Sequence, residues 1–95
     1  MKGFLSFLVL HLISRQPLCG ESIRREIALR KGGTKPSPGT IYPVLKQLSN
    51  NGWIREVGCP NSKEKRYEIT SSGKKEVKTA TKRFVKYFYD LKSEF

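Results

Sequence analysis

PSPGTIYPVLKQLSNNGWI, residues 36–54, carries the start, the inner face and the stop of one helix. Ser37 is an N-cap residue type, and Pro38 suits the first helical position, where a missing N–H costs nothing. Ile41, Val44, Leu45 and Leu48 recur at three- and four-residue spacing and predict the buried face. Pro43 falls near the first turns, where it disrupts less than in mid-helix. Asn50-Asn51-Gly52 ends the helix, with Gly52 as the left-handed cap. What remains is an outer face of Ser37, Gly39, Thr40, Tyr42, Lys46 and Gln47, with Lys35 just ahead of it. Hydroxyls, slim backbone and free amides at a helix start suit phosphate, and Lys or Gln a turn later can reach base edges. The alternative is an ordinary solvated helix face.

On the C-terminal side, Trp53–Val57 reads as a strand, Gly58–Lys65 as a polar loop and Arg66–Ile69 as a second strand with alternating polarity. Together they predict an antiparallel hairpin whose tip is basic through Lys63, Lys65 and Arg66. Thr70 is placed to cap a long last helix. Along it Val77, Thr81, Phe84, Phe88, Leu91 and Phe95 follow one another at three- or four-residue intervals, like a coiled-coil seam.

On the N-terminal side, residues 3–14 (GFLSFLVLHLIS) are apolar nearly all round, so this helix is predicted to be buried on most sides. Leu5, Leu8, Val9 and Leu12 make one face; Phe4, Phe7, His11 and Ile13 take up much of the rest. One face serves the core of the chain, and a second subunit would cover the other. Gln16-Pro17 breaks this helix. Leu18-Cys19-Gly20 then lead into GESIRREIALR, a short helix with a stripe of Ile23, Ile27 and Leu29. Glu21, Arg24, Arg25 and Arg30 are expected to face water.

The order is therefore α-α-α-β-β-α, mainly α with a small β-hairpin. That is the winged helix-turn-helix arrangement, in which the third helix enters the major groove. Residues 1–70 read as the winged unit and 71–95 as a C-terminal dimerisation helix of the same compact body.

The chain of 95 residues suits a single domain, and one this small has limited core to bury. It carries 19 Lys+Arg against 8 Asp+Glu, a formal charge of +11. A polyanion is the default partner for such a charge, nucleic acid first and an anionic membrane surface second; the alternative is a merely solubilising surface. Most of the excess lies before residue 71, so the C-terminal lysines read as a solvated outer face. Cys19 and Cys59 lie far apart, and His11 is the one histidine, so no zinc-ligand pattern can be assembled. No catalytic pair of carboxylates and no phosphate-binding glycine loop stands out, so an enzyme is not expected. The apolar run 4–13 is too short to span a bilayer and has no cleavage site after it, which predicts a cytoplasmic protein.

The run from Pro36 to Gly52 closely resembles the signature of PadR-type transcriptional regulators, roughly P-S-x-G-x-[IL]-Y-P-x-L-x-x-L-x-x-x-G. GFLSFLVLHLISRQPLCGESI resembles that family's first helix and the start of its second. KRYEITSSGKKEV resembles its R-x-Y-x-[IL]-T-x-x-G pattern. The resemblance implies a dimeric, repressor-like regulator of a pseudo-palindromic operator in double-stranded DNA. It implies DNA contacts at Ser37, Gly39, Thr40, Tyr42 and Pro43, and a basic wing at Lys63, Lys65 and Arg66. It places the homodimer interface on the first and last helices, hence on Phe4, Leu8, His11, Val77, Thr81, Phe84, Phe88, Leu91 and Phe95. The family's Tyr after the second-helix Gly is replaced here, since Gly20-Glu21-Ser22 stands at that point. The single C-terminal helix looks like the family's short form, without the Trp that some members use to sense ligands. A small aromatic effector has no direct support, and no cofactor or metal is expected. Two other readings are a non-specific architectural DNA binder and a ligand-sensing or interaction module built on the aromatic C-terminal helix.

Overall fold

The computed structural model describes residues 3–30, 35–58 and 65–92. Its elements run α1 (Gly3–Arg15), β1 (Leu18–Cys19), α2 (Gly20–Arg30), α3 (Pro38–Asn50), β2 (Ile54–Gly58), β3 (Lys65–Ile69) and α4 (Ser71–Lys92). The expected α-α-α-β-β-α order holds, with one addition. Leu18–Cys19 is a strand, where the sequence suggests only a connection, and the sheet is three-stranded in the order β1-β3-β2. Leu18 pairs with Tyr67 and Cys19 with Arg66. Two residues are too few to show an alternation, and their ladder partners lie far along the chain.

α1 is the centre of the core. Val9, Leu10, Leu12 and Ile13 are buried, and Ile23 and Ile27 of α2, Ile41, Leu45 and Leu48 of α3, Ile54 of β2 and Tyr67 of β3 close around them. Leu8 belongs to this cluster too, at 8% exposure. It serves its own chain's core, so less of α1 is left uncovered than the sequence suggests. Leu29 leaves the expected α2 stripe altogether and stands 79% exposed.

α3 ends in a Schellman arrangement. The Trp53 N–H donates to the Leu48 carbonyl at 3.1 Å and the Gly52 N–H to the Ser49 carbonyl at 2.9 Å. Gly52 takes a φ of 77°, open to glycine without strain. The next joint is made by Thr70. Its hydroxyl donates to the Gly52 carbonyl at 2.6 Å and accepts from the Gly73 N–H at 3.1 Å, capping α4 as expected. Its N–H donates to the Trp53 carbonyl at 3.0 Å. One residue thus joins the end of α3, the start of β2 and the start of α4. Replacing Thr70 with valine keeps the shape and removes both hydroxyl bonds. It is expected to cost about 1–2 kcal/mol, read by thermal or denaturant melting.

α4 lies on α1 as far as Phe84. Gly73 and Ala80 are buried, Val77 packs on the core, and Phe84 meets α1 in an aromatic cluster. The Phe84 ring is 4.8 Å from Phe7 and edge-on to Phe4 at 6.0 Å. His11 stacks beside Phe7, with the two rings 6.1 Å apart. Beyond this cluster Val85, Tyr87, Phe88 and Tyr89 are exposed, as is Thr81. The Leu91 side chain and Phe95 lie outside the described residues.

Candidate nucleic-acid interface

The inner positions of α3 are buried at Ile41, Leu45 and Leu48. By the 3.6-residue period the remainder must face outwards, and Ser37, Gly39, Thr40, Tyr42, Pro43, Lys46 and Gln47 are all exposed. The helix therefore presents its expected polar surface as one continuous strip. Ser37 stands at the N-cap, but its hydroxyl makes no cap bond. It pairs with the Thr40 hydroxyl at 3.1 Å instead. The Thr40 and Ile41 N–H groups both reach the Ser37 carbonyl, at 3.0 and 3.1 Å. Pro43 has no N–H to give the Gly39 carbonyl, so that oxygen lacks its helical partner on the outer strip.

Tyr42 is seated by a glycine whose importance the sequence does not signal. A Cβ on Gly20 would stand 2.8 Å from the Tyr42 hydroxyl and 3.0 Å from its ring. The bare start of α2 is what lets the Tyr42 ring lie there. No local pattern could reveal this, because the two residues come from different helices.

Across from α3 stands the hairpin, and between them opens a cleft of about 380 Å³. Tyr42, Lys46, Ser49 and Asn50 line one side, and Glu56, Lys65 and Tyr67 the other. The Ser49 hydroxyl is buried and has no hydrogen-bond partner among the described residues. Burial raises the Tyr67 phenol above its ordinary pKa, and Glu56 and Tyr42 push it the same way, so it stays neutral. Lys65 is exposed on the hairpin edge, its ammonium 3.6 Å from the Glu56 carboxylate. Side chains alternate across a strand. Lys65 and Tyr67 face α3, whereas Arg66 pairs with Val57 on the other face, beside the Arg55–Glu68 ion pair. The structure brings Lys65 to the α3 surface and leaves Arg66 on the opposite face of the hairpin. Lys63 and the wing tip, with Cys59, lie outside the described residues.

Lys35 sits before α3 with its ammonium on Glu21 of α2. Glu21 and Arg24, which the sequence assigns to a solvated face, tie α2 to the start of α3. Among the described residues no group of three or more His, Cys, Asp or Glu could hold a metal ion. No helix among them is long and apolar enough to cross a membrane.

A family model for PadR-like transcriptional regulators matches residues 9–79. Solved structures share the fold. A transcriptional regulator from Clostridium thermocellum, Cth-833, superposes with a TM-score of 0.85 at 20% identity, covering 98% of this chain and 90% of that one. A PadR family transcription regulator from hypervirulent Clostridium difficile R20291 gives 0.72 at 21% identity, covering 94% and 97%. The smu.1704 protein of Streptococcus mutans UA159 gives 0.75 at 27% identity, covering 87% and 77%. Among curated proteins none matches the sequence significantly.

Proposed function

Because this chain belongs to the PadR-like family of DNA-binding transcriptional regulators, which are not enzymes, we propose that it is a cytoplasmic homodimer that represses transcription from a pseudo-palindromic operator. Each subunit lays α3 in the major groove. The hairpin edge bearing Lys65 meets the flanking backbone or minor groove, and α4 with α1 joins the two copies. The observation that carries this reading is the outer strip of α3. Six residues suited to phosphates and base edges, with Pro43 among them, are exposed side by side on a helix whose other face is fixed in the core. The bare Gly39 backbone and the Ser37 and Thr40 hydroxyls suit a phosphate at the helix start. Lys46 and Gln47, a turn further in, suit base edges.

Selection of bound sequences from a random duplex pool tests the proposal. It should enrich two half-sites related by a two-fold axis, their centres about one helical turn or a multiple apart. On the selected site Tyr42→Ala should weaken binding by about tenfold or more, in line with about 1–3 kcal/mol for one good protein–DNA interaction. Lys65→Ala should weaken selected and random duplexes about equally and flatten the salt dependence by about 0.9 for each phosphate it ceases to neutralise. A pool that stays unenriched while binding remains tight would replace this reading with non-specific binding.

A further inference from the structure

The segment leading into α3 is held by α2 through a shared carboxylate. Glu21 lies in the first turn of α2. One of its oxygens accepts from the Arg24 guanidinium at 2.7 Å; the other accepts from the Lys35 ammonium. Arg24 also donates through Nε to the Pro36 carbonyl at 2.7 Å. The two cations on Glu21 are not equivalent. Arg24 is only 18% exposed and its donors are divided between a carboxylate and a backbone carbonyl, so it is fixed in place. Lys35 and Glu21 are each more than a third exposed. An exposed pair of this kind is weak and screened by salt, so another anion displaces it readily. The hydrogen bond from Lys35, with Arg24 adding to it, holds the Glu21 carboxyl below the usual carboxylate range, so it is ionised at neutral pH.

We infer that Glu21 is an internal competitor of DNA phosphate: it occupies Lys35 in the free protein, and DNA binding moves the Lys35 ammonium from the Glu21 carboxylate to a backbone phosphate. This rests on the DNA-binding reading above and deepens it. Glu21 sets how strongly the chain binds any duplex and leaves untouched the strip of α3 that reads sequence. Arg24 stays on Glu21 and Pro36 throughout, so the path into α3 does not change when Lys35 moves.

The full chain and its variants are titrated on a random-sequence duplex of about two helical turns, across salt from about 50 to 200 mM. Glu21→Gln keeps an acceptor for Arg24 and releases Lys35. It should tighten binding about three- to tenfold at the lowest salt and steepen the salt slope by up to about 0.9 per subunit. In a Lys35→Ala background the same change should do little, which makes the two substitutions non-additive. Glu26→Gln removes an acid of the same helix that pairs with Arg30 rather than Lys35, and it calibrates the effect of charge alone. Glu21→Asp, with its charge kept, should behave like the wild type, and melting curves confirm that each variant is folded. The inference is overturned if Glu21→Gln gains no more than Glu26→Gln, or if its gain survives intact without Lys35. Weaker binding by a folded Glu21→Gln also overturns it, by making Glu21 a positioning residue. A wild type with no salt-dependent duplex binding removes the DNA-binding reading as well, whereas wild-type binding without the Glu21→Gln gain removes this inference alone.

Discussion

Gly73→Ala is expected to lower the melting temperature by roughly 10–20 °C, although alanine is the better helix former by about 1 kcal/mol. Gly73 is the third residue of α4, where the helix crosses the joint between α3 and β2. A Cβ there would stand far inside contact distance of the Trp53 carbonyl oxygen and 2.6 Å from Ile69 Cγ1. The obstruction is backbone, so no rotamer change relieves it. The same carbonyl accepts the Thr70 N–H at 3.0 Å. Moving it strains the bond that orders the α4 cap. Forcing an extra methyl into such a site costs about 2–3 kcal/mol, and each kcal/mol is about 4–8 °C for a domain of this size. Circular dichroism melting measures it. A variant melting with or above the wild type would show that the start of α4 can slide away from Trp53, and the crowding argument would fall.

The second large effect is expected at Phe88. It is 60% exposed on the part of α4 beyond the α1 contact, with Val85, Tyr87 and Tyr89 also uncovered. Exposed aromatic surface of this extent on one helix is what the proposed homodimer would use as its interface. A second copy of α4 covers it in the proposed homodimer. Phe88→Glu should give monomers by sedimentation at concentrations where the wild type is dimeric. Affinity for a two-half-site operator should fall by about 10²-fold or more, as expected when two half-sites are no longer engaged together. Phe84 is the less informative position, because its ring is already packed on Phe4 and Phe7 of its own chain. A charge there would damage the monomer as well. If Phe88→Glu remains dimeric, the subunits meet somewhere other than this helix.

The parts that were legible in the sequence share one property: their signals lie within a few residues of one another. The proline start, the inner isoleucine and leucine positions and the Gly52 stop of α3 are all local. So are the Thr70 cap and the alternation in β3. The exposed strip of α3 follows from the same period, since what is not buried on a helix that touches the core must face outwards. Local signals failed where a neighbour from elsewhere decides. Ser37 is spaced to cap α3, yet its hydroxyl turns to Thr40. Leu29 continues a stripe on α2, yet nothing covers it. Lys65 and Arg66 read as one basic cluster, but pairing of Lys65 with Gly58 of β2 extends β3 by one residue, and alternation then sets the two on opposite faces.

Local signals thus account for the helical order, the hairpin, the buried stripe of α3, the buried Ile23 and Ile27 of α2 and the outer surface of α3. Period and capping act through backbone geometry that each segment carries with it. Tertiary structure alone decided that Leu18–Cys19 completes a sheet with β3 and that Gly20 seats Tyr42. It alone joined Glu21 to Lys35 and Arg24 at the entrance to α3, and assigned Leu8 and Phe84 to their own chain. Each of these depends on which surfaces meet once the helices pack, and that meeting is between residues the chain itself keeps apart.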